Sequence, residues 1–145
     1  MSSRVPRPKR LWAAAIMNIF VGLLSLAALL FVLISPQAAA ELRPGFARAL
    51  AAGGIATFLV VASIAALMGR QHARLGMLGA ALVFFGMLAI QNVLLIADLS
   101  GTGDPKMFQK LGSNVVRSTI EIAINAWALL SAKTVAFFGS RQSGP

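Results

Sequence analysis

The chain has 145 residues, of which 58% are hydrophobic and 12% charged, with a formal net charge of +9 and no cysteine. A soluble domain of this length builds its exterior from roughly a quarter charged residues, so a water-facing globule does not fit. Missing cysteine excludes disulfides, thiolate chemistry and cysteine metal sites.

The first ten residues form a basic tail in which Arg4, Arg7, Lys9 and Arg10 alternate with Pro6 and Pro8, a pattern that favours extended chain. Residues 11–34 then run without a charge and as a helix would measure about 36 Å, enough for a hydrocarbon core of about 30 Å. Ala38-Ala39-Ala40 before Glu41 resembles a signal-cleavage site, but a signal's apolar core holds only about 7–15 residues, and this run is longer. Pro36 and Pro44-Gly45 break the first connection. A second uncharged run covers 49–68, and Gly69 to Arg74 makes a tight turn. The third run, 75–96, contains Gln91 and Asn92, and a polar connection from about Asp98 to Asn114 follows, with Gly101-Thr102-Gly103-Asp104-Pro105 as turn sequence. The fourth, 115–138, contains Arg117, Glu121 and Lys133, and residues 139–145 form a short tail. Backbone in lipid must satisfy its own hydrogen bonds. The expected fold is therefore all-α: a polytopic integral membrane protein with four transmembrane helices in a bundle. The two hairpins share a faint pattern, with Arg48 and Arg117 leading into their second spans and Gly69-Arg70-Gln71 and Gly139-Ser140-Arg141-Gln142 closing them, as in a parallel repeat.

Arg4, Arg7, Lys9, Arg10, Arg70, Arg74 and Arg141 fall on one side of these spans, with Lys133 at the last helix end, and Arg43, Arg48, Lys106, Lys110 and the helix-end Arg117 fall on the other. Short basic loops stay inside, which predicts both termini in the cytoplasm. The basic tail beside a membrane helix reads as topological retention and attraction to anionic headgroups, not as a nucleic-acid site. High Ala, Gly, Leu and Arg usage and compact loops suit a bacterial inner membrane.

Residues that could carry chemistry are few: one histidine, no tyrosine and four acids. His72 sits in the tight turn without a second ligand, and hydrolytic, zinc, phosphate-loop and paired-carboxylate motifs are missing. A non-catalytic protein without metal or cofactor is expected.

Glu121 stands out, because an ionised carboxylate facing lipid is expensive and should face other helices, be paired or carry a proton. It is read as one to two turns inside the outer end of the fourth span. Arg117 and Asn125 lie four residues to either side, on the same face, and a polar cluster with Gln91 and Asn92 is the candidate internal site. Asn18, Gly22 and Ser25, then Gly53 and Thr57, then Gly76, Gly79 and Gly86 form small or polar stripes that suit helix packing. Asp104, Lys106, Phe108 and Lys110 make a candidate outer-loop binding surface. Phe46 and Phe108 are placed at the outer interface, Trp12 and Phe137-Phe138 at the inner one, and Trp127 near the centre of the fourth span, packed on a neighbouring helix or subunit.

Three function classes fit. The favoured one is an accessory or assembly subunit of a larger membrane complex, partnered by other subunits or by copies of itself. The alternatives are a small oligomeric transporter or channel using Glu121 as an ion-linked carboxylate, and an immunity-type binding protein using the outer loop.

Overall fold

A computed structural model describes residues 8–35, 45–70, 72–98 and 105–139. Arg4, Arg7, Ala38-Ala39-Ala40, Arg43, Asp104 and Arg141 lie outside the described residues. Among the described residues five helices follow one another: α1 (Lys9–Ile34), α2 (Phe46–Leu67), α3 (Ala73–Asp98), α4 (Pro105–Leu130) and α5 (Ala132–Gly139). The first three are long and apolar enough to cross a membrane, whereas α4 and α5 meet that test only as a pair bent by 51°.

The turn between α2 and α3 is built by Gly69, whose φ of 74° is open to a residue without Cβ. Its N–H donates to the Ala66 carbonyl at 3.0 Å and that of Arg70 to Ala65 at 3.1 Å, the paired bonds of a Schellman helix end. The chain therefore reverses within a few residues, and α3 packs back on α2.

Two expectations about the fourth span are corrected. The connection expected to reach Asn114 ends earlier, because α4 begins at Pro105, a residue suited to a first helical position where no N–H partner exists. Lys106, Phe108 and Lys110 accordingly lie on the opening turns of α4 and not in a loop. Gln109, Lys110, Ser113 and Asn114 are too polar to read as a lipid span, which hid the helix from a hydropathy reading.

The second correction is that the span does not run straight through 115–138 but breaks at Ser131. In a continuous helix the Ala128 carbonyl would accept the N–H four residues on. Here it accepts the Thr134 hydroxyl at 2.7 Å and the Ser131 hydroxyl at 3.2 Å, and inserted hydroxyls are a recognised cause of helix bending. The likeness between the two hairpins stops at this bend. α5 turns inward and buries Thr134, Phe137 and Phe138. The two phenylalanines, expected as interface anchors, are 2% and 5% exposed and meet edge to face with centroids 5.2 Å apart.

One apolar cluster joins all five helices, and nine of its seventeen residues are alanine. Small side chains let membrane helices approach closely. At Gly22 the approach is closest, since a Cβ there would lie 2.6 Å from Val60 Cγ2 and 3.3 Å from the Ala56 carbonyl oxygen. The start of α1 and the end of α4 share one end of the bundle, here the near end, because the Arg10 guanidinium lies 4.0 Å from the centre of the Trp127 ring.

Burial is confined almost wholly to the near half. No described residue of 23–34, 45–55 or 86–98 is buried, and in 105–117 Leu111 alone is. Sequence-adjacent helices pack closely, but α1 and α4 barely meet. Side chains are thus buried in the near half and left exposed in the far half.

Candidate functional site

At the base of the near half, Asn18 of α1 and Asn125 of α4 are both fully buried and exchange amide hydrogen bonds: Asn18 Nδ2 donates to Asn125 Oδ1 at 2.7 Å, and Asn125 Nδ2 to Asn18 Oδ1 at 3.1 Å. Asn125 Nδ2 also donates to the Glu121 carbonyl at 2.9 Å. This pair bridges the seam where the two helices otherwise make little contact.

Just beyond it towards the far end, a cleft of about 270 Å³ opens between α1, α3 and α4. Phe20, Leu24, Phe85 and Leu88 form apolar walls, while Asn92, Asn114, Arg117, Ser118 and Glu121 supply polar groups. Glu121 is 8% exposed. Its Oε1 lies 3.6 Å from Arg117 Nε, and that guanidinium is largely exposed at the rim. Its Oε2 is buried with no hydrogen-bond partner. A buried charge or polar atom without a partner carries the full cost of desolvation, and among the described residues this oxygen is the one fully buried side-chain polar atom without a hydrogen bond. Asn114 Nδ2 reaches Asn92 Oδ1 at 3.3 Å across the α3–α4 seam, and Asn92 Nδ2 turns back to the Leu88 carbonyl at 2.6 Å.

The expected cluster is thus brought together only in part. Glu121, Arg117 and Asn92 share the cleft; Asn125 turns to Asn18; and Gln91 lines a separate cleft of about 130 Å³ between α1, α2 and α3 with Ser25, Leu29 and Ile55. Neighbouring residues on a helix point about 100° apart, so Gln91 and Asn92 serve different grooves. Glu121 lies about 24 Å along the α4 axis from Pro105, because α4 starts before Val115. Asn114 and Ser118 share the α4 face of Arg117 and Glu121 by helical spacing, and Asn18 belonged to the stripe on the first span. The pairing of Asn18 with Asn125, 107 positions apart, has no local signal.

Trp127 is not central in its span. It lies close to the Ser131 break, 57% exposed, with Arg10 over its face. Lys106 and Lys110 are exposed on α4, and Phe108 is half-buried. Among the described residues no group of three or more His, Cys, Asp or Glu side chains is placed to hold a metal ion. Comparison of the chain with protein-family models, curated proteins and solved structures gave no match.

Proposed function

We propose that the chain is a non-catalytic accessory or assembly subunit of a larger membrane complex, with a helix of another subunit seated in the cleft between α1 and α4. The observation that carries this reading is the cleft lined by Glu121, whose Oε2 has no hydrogen-bond partner, beside a far half that leaves its apolar side chains exposed. A partner helix laid there would cover Phe20, Leu24 and Leu88 and set polar groups beside the Glu121 carboxylate. Gly76, Gly79 and Gly86, where an added Cβ would meet nothing within 4 Å, leave a different face of α3, turned away from this cleft, open to close helix approach. The basic residues Lys9, Arg10, Arg70, Arg74 and Lys133 gather at the near end, which favours that end, with both termini, in the cytoplasm. Composition and short connections favour a bacterial inner membrane.

The test is native mass spectrometry of the complex gently extracted from its own membrane, with a photo-crosslinking residue at Leu24. A heteromeric mass and a cross-link to the same subunit are expected. A lone chain or a pure homo-oligomer, with no heteromeric cross-link, would overturn the reading.

The same unpartnered oxygen in an open cleft favours a second reading, a small transporter coupling ion movement to Glu121. Leu59, Met77 and Leu129 are fully buried in the near half, so this reading requires that half to open. Flux in proteoliposomes that Glu121→Gln abolishes while assembly persists would select it. An immunity-type binding role would use the surface that Lys106, Phe108 and Lys110 make on the first turns of α4, with Asp104 outside the described residues.

A further inference from the structure

The near end of the α1–α4 seam holds a second cleft, of about 420 Å³, separate from the Glu121 site. Lys9 and Arg10 stand at its mouth, Trp127 forms one side, and Ala13, Met17 and Ile124 make the wall running into the membrane. No acidic side chain lines it. Arg10 is held over the Trp127 ring at 4.0 Å, which fixes its charge at the mouth through cation–π attraction. α1 and α4 make few contacts along this seam, and the exposed, small Ala13 leaves a surface groove above the buried Ala14 and Ala128.

We propose that this cleft binds one anionic phospholipid, its phosphate between Lys9 and Arg10 and an acyl chain along Ala13, Met17 and Ile124. Two cations at one end of an apolar groove lined by Ala13, Met17 and Ile124 match a lipid at both of its ends. A free phosphate would leave the groove empty, and a zwitterionic lipid would bring its own cation against Lys9 and Arg10. Basic pockets between membrane helices recur as sites for anionic headgroups. The lipid would fill this surface groove, and so join α1 to α4 beneath the Asn18–Asn125 bridge.

The protein is reconstituted in nanodiscs of equal phosphatidylglycerol and phosphatidylcholine, released in the gas phase, and its retained lipids are counted by native mass spectrometry. Retention of one phosphatidylglycerol in preference to phosphatidylcholine is expected, and Lys9→Gln or Arg10→Gln should each lower it about five-fold. Ala13→Leu, which keeps both charges and fills the groove, should lower it comparably, with helicity and elution volume unchanged. Lys110→Gln, on α4 at the far end, should have no effect. Equal retention of both lipids, an equal loss in Lys110→Gln, or full retention in Ala13→Leu would each overturn the proposal.

Discussion

Asn18 and Asn125 are the two halves of one buried amide bridge, but they are not equivalent. Asn125 keeps a second bond to the Glu121 carbonyl, whereas the hydrogen bonds of the Asn18 side chain both run to Asn125. Asn125→Leu strands both the donor and the acceptor of Asn18; Asn18→Leu strands only the Asn125 oxygen. Asn125→Leu should therefore cost more, about 2 kcal/mol against about 1 kcal/mol, in SDS-driven unfolding from mixed micelles. The double variant should be less destabilised than the sum of the two. Equal single costs that simply add would show that the bridge contributes no coupling.

Gly22 and Gly79 look alike in sequence, each a small residue in an apolar run, and the structure separates them. Gly22→Ala drives a methyl against Val60 Cγ2 and the Ala56 carbonyl, and valine is stiff at that torsion. A loss of about 1–3 kcal/mol is expected, read as a lowered unfolding midpoint. Gly79→Ala meets nothing and should stabilise the isolated chain by up to about 1 kcal/mol through helix propensity. If a partner helix approaches there, the same substitution should weaken the complex while strengthening the monomer.

The contrast between these glycines marks where sequence reading stops. Long apolar runs declare α1, α2 and α3 because lipid demands helices of about 20 residues, and Glu121 declares itself because buried charge is costly in that solvent. The opening turns of α4 are amphipathic and polar, so hydropathy fades where the helix does not. Ser131 and Thr134 are ordinary residues in a sequence; only with both hydroxyls on the Ala128 carbonyl do they become a bend. That bend in turn decides where Trp127 lies and that Phe137 and Phe138 are covered. Gln91 and Asn92 are neighbours by number but not by direction, and the Asn18–Asn125 contact depends on how α1 and α4 cross.

Gly69 supplies the helix end that lets α2 turn into α3. Its φ of 74° places an added Cβ against the following carbonyl, so Gly69→Ala should cost about 1 kcal/mol, measured as the shift in SDS unfolding midpoint. Gly69→Asn should recover part of that loss, because asparagine tolerates the left-handed region better than alanine. Equal losses for both would argue against backbone strain as the cause.

Thr134 is the residue on which the α4–α5 bend turns. Thr134→Val keeps the shape and removes the hydroxyl, leaving the Ala128 carbonyl with the longer Ser131 bond alone, at a cost of about 1 kcal/mol. Thr134→Ser keeps the bond and should behave as the parent does. The local consequence is measurable apart from global stability, because Lys133 is exposed on α5 at the near end of the bundle. Loosening α5 should raise the rate of tryptic cleavage after Lys133 several-fold in Thr134→Val. An unchanged rate would mean that the burial of Phe137 and Phe138 holds α5 in place without the hydroxyl.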